Sequence, residues 1–202
     1  SDRLELYEGA VECLRKSGRL YPCYETRDEL EIKRNTLRSR GLPPIYDRGA
    51  LKLTAAELAD FANEGRVPHW RFKLEDTAIE WEDLVRSRVK FEAKVISDPV
   101  LIREDGRPLY SLSSVVDDGE LNISHVIRGE DHVVNTAVQI QLFDALGYDL
   151  PSFGHLPLLV DRHGQNFSKR LESKSLRGLR EGGIEASAIS SYLSNLGTPQ
   201  TA

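Results

Sequence analysis

The sequence predicts an α/β fold, with an α+β module in its first half and a strand–helix–strand unit in its second. Two capping boxes and apolar residues spaced three and four apart mark helices before residue 65. Apolar residues alternating with charged ones mark strands between residues 70 and 110. Beyond residue 120, a strand, a strongly apolar helix and a second strand follow at the spacing of a βαβ unit, which implies a parallel sheet and a right-handed crossover.

Leu4, Tyr7, Val11 and Leu14 fall on one face of a helix, and Gly18 stands where its C-terminal cap belongs. Arg19 to Tyr24 is short, aromatic and interrupted by Pro22, so it reads as an edge strand at best. Thr26-Arg27-Asp28-Glu29 opens a helix that runs to about Ser39 and is stopped by Gly41-Leu42-Pro43-Pro44. Thr54-Ala55-Ala56-Glu57 opens a second, shorter helix closed by Gly65. Trp70, Phe72 and Leu74 alternate with Arg71 and Lys73, and Phe91, Ala93 and Val95 alternate with Glu92 and Lys94, giving two strands with the apolar residues inward. Val100-Leu101-Ile102 meets Leu109-Tyr110 across an Asp105-Gly106 turn. Asn122 to Ile127 reads as a strand, Asn135 to Leu146 as a helix ended by Gly147, and Phe153 to Val160 as the second strand. Two short helices are expected near Leu176–Glu181 and Ala186–Leu196, with Gly182-Gly183 between them.

The 202 residues suffice for one fair-sized domain or two small ones. With 40% hydrophobic and 29% charged residues the chain is globular, not disordered. No apolar run approaches the length of a membrane span, and Ser1-Asp2-Arg3 opens no secretory signal pattern. Two cysteines make no disulfide framework, so a cytoplasmic protein without membrane partners is expected. The absence of methionine and the helical pattern starting almost at Ser1 suggest a fragment of a longer protein.

Net charge is −5, which speaks against a uniformly basic nucleic-acid binder. The charges are nevertheless segregated. Six cations against one anion lie from Arg162 to Arg180, and five anions against one cation lie from Asp117 to Asp131. The five histidines and two cysteines show no metal spacing, and no nucleophile elbow, Walker loop or dinucleotide fingerprint is present.

Two segments carry candidate chemistry. Ile127-Arg128-Gly129-Glu130-Asp131-His132 ends a predicted strand just ahead of a helix, the place where ligands bind in open α/β sheets. Arg128 suits a carboxylate, and the acidic pair suits a helix N-terminus; as structure alone, the segment would be an Arg–Glu pair before a helix start. Gln165-Asn166-Phe167-Ser168-Lys169-Arg170 offers a point charge, a fork and a hydroxyl to phosphate. One βαβ unit separates the two segments, so both are expected on the same edge of one sheet.

Together with Pro108-Leu109-Tyr110, Val115-Val116-Asp117-Asp118 and His125-Val126-Ile127-Arg128-Gly129-Glu130-Asp131-His132, the Phe167-Ser168-Lys169-Arg170 run resembles the glutamyl-tRNA synthetases, a family of class I aminoacyl-tRNA synthetases. The likeness extends to Tyr21–Thr26 and Leu42-Pro43-Pro44-Ile45-Tyr46-Asp47, and so covers essentially the whole chain. It implies the second half of a class I synthetase Rossmann-type domain with an α+β acceptor-stem-contacting insertion. By the same resemblance, residues 1–20 end the first Rossmann half and 21–108 form the insertion. Residues 109–167 form the second half, and 168–202 hold the KMSKS loop and the start of a stem-contact region. The HIGH-bearing half and the anticodon domain of the family are not in this sequence, so the fragment alone is expected to be inactive.

The resemblance also implies roles. Tyr110, Ser114 and Arg128 match substrate-binding positions of the glutamate pocket. Glu130, Asp131, His132, Leu158, Leu159 and Lys169 match ATP-binding positions, and Ser168, Lys169 and Arg170 match the catalytic loop. ATP with Mg is the implied substrate complex, and L-glutamate and the tRNA(Glu) acceptor stem are the implied partners of a monomer. Three residues depart from the pattern. Asn166 replaces the first lysine of the signature, Ser114 stands where some relatives carry Asn, and Cys23 is the single cysteine where zinc-bearing members have a cluster, so no zinc is expected. The alternatives are the glutamyl-queuosine tRNA(Asp) synthetase paralogue and a non-catalytic tRNA-binding module.

Overall fold

The structure is a computed structural model and describes residues 3–160 and 175–196. The chain divides after Leu156 into two compact units, 1–156 and 157–202.

Helix α1 (Leu4–Lys16) forms where the apolar spacing predicts it and buries Ala10 and Leu14. Strand β1 (Leu20–Cys23) follows. Helix α2 (Arg27–Ser39) starts at a complete capping box: Glu29 N donates to Thr26 Oγ1 at 3.3 Å, and Thr26 N donates to Glu29 Oε2 at 2.7 Å. Helix α3 (Ala55–Asn63) repeats the device with Thr54 and Glu57. Both caps satisfy backbone donors that the first helical turn leaves without partners.

Strand β2 (His69–Phe72) and strand β5 (Val100–Ile102) complete a three-stranded antiparallel sheet with β1, in the order β1-β2-β5. Pro22 thus sits on an edge strand, where a missing N–H costs least. The expected outward position of Arg71 is corrected. Its side chain is 5% exposed, while Trp70 is half-buried. The register against β5 shifts between these two residues, and such a bulge re-aims side chains.

Strands β3 (Ala78–Asp83) and β4 (Ser87–Glu92) form a hairpin. The strand expected through Val95 ends at Glu92, and a 3-10 turn over Ala93–Val95 replaces its last pleats. The arm expected at Leu109-Tyr110 is reduced to one bridge, Ile102 to Pro108, because Tyr110 opens helix α4 (Tyr110–Glu120). That helix buries Leu112, Val115 and Val116. Strand β6 (His125–Gly129) starts later than Asn122, whose φ of 52° belongs to a turn. Helix α5 (Val133–Leu146) ends at Gly147, whose φ of 74° is the left-handed cap that glycine adopts without a Cβ penalty. Strand β7 (Ser152–Leu156) is shorter than expected.

The second sheet runs β4-β3-β7-β6, with β7 parallel to both β3 and β6. The hairpin 78–92 therefore belongs to the same sheet as the βαβ unit, which it meets at the single pair Asp83↔Phe153. Helices α1, α4 and α5 pack with both sheets on a single apolar cluster that includes Leu14, Phe72, Leu101, Leu112, Leu142 and Phe143. In the second unit, helix α6 (Leu176–Glu181) is capped by Ser175, and helix α7 (Ala186–Leu196) follows the Gly182-Gly183 turn as the sequence predicts. Among the described residues no helix is long and apolar enough to cross a membrane.

Candidate active site

Strand β6 delivers Arg128 to its C-terminal end, and β7, α4 and α5 surround the guanidinium with neutral partners. Arg128 Nη1 donates to the Tyr110 hydroxyl at 2.9 Å, and Nη2 donates to Thr136 Oγ1 and Gln139 Oε1, each at 2.6 Å. Nε donates to His155 Nε2 at 3.3 Å. Gln139 uses its amide nitrogen to reach Ser114 Oγ at 2.6 Å. The expected pocket residues Tyr110, Ser114 and Arg128 are thus brought together. Among the described residues no carboxylate lies within ion-pair distance of Arg128, so the plain Arg–Glu pair does not form. Burial holds the Asp118 carboxyl above the usual carboxylate range, and the Arg128 charge offsets part of that shift. A half-buried guanidinium held by neutral groups keeps its charge uncompensated by the described residues, which suits it chemically to a carboxylate.

Below Arg128 lies a second layer. Asp83 and His155 have fully buried side chains, and Asp83 Oδ2 meets His155 Nδ1 at 2.5 Å. Asp83 Oδ1 accepts from the backbone N–H groups of His155, Val85 and Arg86 at 3.0–3.1 Å. Burial alone would raise the Asp83 carboxyl. The hydrogen bonds from His155, Arg86 and Val85 outweigh it and hold the group well below the usual carboxylate range. The Arg128 Nε–H requires a lone pair on His155 Nε2, which assigns the imidazole proton to Nδ1, facing Asp83. The Thr136 hydroxyl reaches the same Nε2 at 2.8 Å.

Glu130, Asp131 and His132 form the 3-10 turn between β6 and α5. Glu130 Oε2 accepts from Arg86 Nη1 at 2.5 Å, which joins this turn to the β3–β4 turn. His132 lies against the Tyr110 ring, centroids 5.5 Å apart. Tyr110 is 49% exposed and so presents its ring at the surface of the cluster. Leu158 and Leu159 belong to the second unit, and Ser168, Lys169 and Arg170 lie outside the described residues. Among the described residues no group of three or more His, Cys, Asp and Glu is arranged to hold a metal.

Two clefts lie elsewhere. One of about 330 Å³ sits between α2 and the 44–47 segment, and one of about 730 Å³ between α2 and β2 with the 103–105 turn. Neither is lined by an expected site residue, so the Arg128 cluster is identified by its chemistry and not by its concavity.

Sequence reasoning missed Asp83, Thr136, Gln139 and His155. The signals were present. Ile79, Trp81 and Asp83 share the inward face of a strictly alternating strand, which puts a carboxylate at a core position. Thr136 and Gln139 are polar residues three apart in a helix otherwise apolar over most of its surface.

All 202 residues match the family described as tRNA synthetases class I (E and Q), catalytic domain. A glutamate–tRNA ligase of Azospirillum brasilense is 60% identical over 98% of this chain and 45% of its own length. Glutamate–tRNA ligase 2 of Methylobacterium sp. (strain 4-46) is 59% identical over 95% of this chain and 43% of its own. The solved glutamate tRNA ligase of Elizabethkingia meningosepticum CCUG26117, in complex with its amino acid, superposes with a TM-score of 0.73 at 30% identity. It covers 84% of this chain and 36% of its own. The chain therefore spans less than half the length of these relatives. It belongs to the class I tRNA synthetases of the E and Q group, as part of their catalytic domain.

Proposed function

We propose that this chain is the central part of the catalytic region of a glutamate–tRNA ligase, which activates L-glutamate with ATP and transfers it to tRNA(Glu). The observation that carries this reading is the Arg128 guanidinium, set among Tyr110, Thr136, Gln139 and His155 without a carboxylate partner among the described residues. A glutamate carboxylate completes its hydrogen bonding and its charge. The names and identities of the relatives support the same reading.

In the first step a carboxylate oxygen of glutamate forms a bond to the α-phosphorus of ATP, and the bond to pyrophosphate breaks. In the second, a ribose hydroxyl at the tRNA terminus takes the acyl group and AMP leaves. Neither step needs a covalent bond to the enzyme. Fixed charges stabilise the developing anion, and we assign that work to Lys169, with Ser168 and Arg170 beside it. Glu130, Asp131, His132, Leu158 and Leu159 are the proposed ATP contacts. Mg enters with the ATP phosphates as part of the substrate, and zinc has no role. The part of 21–108 built from α2, α3 and the three-stranded sheet is the proposed contact to the acceptor stem. The enzyme is read as a cytoplasmic monomer.

The test is glutamate-dependent pyrophosphate exchange and tRNA(Glu) charging by the full-length enzyme. Both are expected, whereas the 202-residue chain by itself should show neither. Exchange with another amino acid but not with glutamate would overturn the reading.

A further inference from the structure

We propose that Asp83 is a positioning residue that registers Arg128 against Glu130, so that one buried carboxylate sets both the amino-acid side and the nucleotide side of the site. This rests on the function proposed above. Two branches leave Asp83 and return to the same end of β6. Oδ2 holds His155, whose Nε2 accepts from Arg128. Oδ1 holds the N–H groups of Val85 and Arg86 and so fixes the turn from which Arg86 reaches Glu130. Arg128 and Glu130 are two residues apart, with only Gly129 between them.

The carboxylate is fully occupied. Besides these contacts it accepts from Trp81 Nε1 at 3.3 Å and from the His155 N–H at 3.1 Å. A packing role alone would be met by any neutral group of the same shape. The charge does something more specific, because an acceptor at Oδ2 keeps the imidazole proton on Nδ1 and the lone pair on Nε2. In Asp83→Asn the carboxamide oxygen can still take the three backbone N–H groups, which leaves the NH2 facing Nδ1. The imidazole proton then moves to Nε2, donor against donor with the Arg128 guanidinium, and Arg128 must turn away from the position that receives glutamate.

The experiment uses the full-length enzyme and three variants. Asp83→Asn should raise the KM for glutamate by about 10- to 100-fold, the range expected when a charge-assisted hydrogen bond is misaligned, and the KM for ATP by no more than about twofold, because the carboxamide oxygen keeps the Val85 and Arg86 N–H groups as a weaker, neutral acceptor. His155→Gln breaks the first branch only and should raise the glutamate KM with little change for ATP. Arg86→Ala breaks the second, and because Arg86 and Glu130 are 44% and 37% exposed the ATP KM should rise only about two- to fivefold with glutamate unaffected. Nitrogen-15 shifts of His155 report the tautomer independently of activity. They should show Nδ1–H in the parent and Nε2–H in Asp83→Asn. If Asp83→Asn does not fold, the opposite splits of the other two variants still decide the matter. Unchanged glutamate KM in His155→Gln, or both variants raising the two KM values alike, would overturn the proposal. A parent enzyme that does not use glutamate refutes the functional reading instead.

Discussion

Truncating Arg128 removes a side chain that makes four hydrogen bonds, to Tyr110, Thr136, Gln139 and His155. In Arg128→Ala the charge-assisted bond that the remaining Nη1–H offers the substrate carboxylate vanishes, a loss of about 1.5–3 kcal/mol for a hydrogen-bonded charged group. At 1.4 kcal/mol per tenfold this raises the glutamate KM about 10- to 150-fold in the full-length enzyme. Stability should fall as well, by about 1–3 kcal/mol, since Thr136, Gln139 and His155 are buried and lose a hydrogen-bonding partner, whereas water can reach the Tyr110 hydroxyl. Arg128→Lys restores the charge but not the fork, so its KM should fall between the two. Steady-state pyrophosphate exchange at saturating ATP gives KM and kcat, and urea unfolding of each variant separates binding from folding. Arg128→Ala with parental KM and kcat but a lowered unfolding midpoint would refute the reasoning and make Arg128 a structural hub.

Gly119→Ala should destabilise the fold by about 1–3 kcal/mol through overpacking, because its Cβ would lie 2.5 Å from the Tyr148 ring; chemical denaturation measures this, and Tyr148→Leu in the same background should recover part of it. Tyr148 itself is pushed up to about 12, first by burial and then by its hydrogen bond to Glu120. The folded state thus holds that proton more tightly, and its contribution is complete below about pH 10 and lost as pH rises towards about 12. Urea midpoints between these limits should fall less steeply in Tyr148→Phe. Cys13 is exposed, whereas Cys23 is buried and its thiol is pushed up to about 11 by that burial. Alkylation followed by peptide mapping should therefore label Cys13 in the native protein and Cys23 only in denaturant.

Helix starts were legible because a capping box is local: Thr26 with Glu29 and Thr54 with Glu57 declare themselves within four residues. Helix α4 is hard to see in the sequence because serines and Gly119 weaken its propensity, yet Leu112, Val115 and Val116 carry the helical period. Alternation puts Arg71 outside only while the pleat is unbroken, and the shift after Trp70 is decided by pairing with a strand about thirty residues away. Of the Arg128 cluster, Arg128 itself is legible because its segment is compact in sequence, and Tyr110 and Ser114 only through the resemblance. Asp83 and His155 are 72 residues apart, and nothing local announces that they meet.

Strand β7 shares a long ladder with β6, from His125↔Ser152 to Gly129↔Leu156, but meets β3 at the single pair Asp83↔Phe153. One further bond, Leu84 N–H to the Phe153 carbonyl at 2.8 Å, closes that seam. The β3–β4 hairpin has its own full ladder, so it can detach as a unit while both ladders stay intact. What resists detachment is the anchoring of Ile79 and Trp81 in the core together with the Asp83 carboxylate. Amide exchange at Leu84 should then report a partial opening that costs less than global unfolding. The sheet is cooperative within each ladder and separable between them, and the residue at the point of separation, Asp83, is the one that reaches Arg128 through His155.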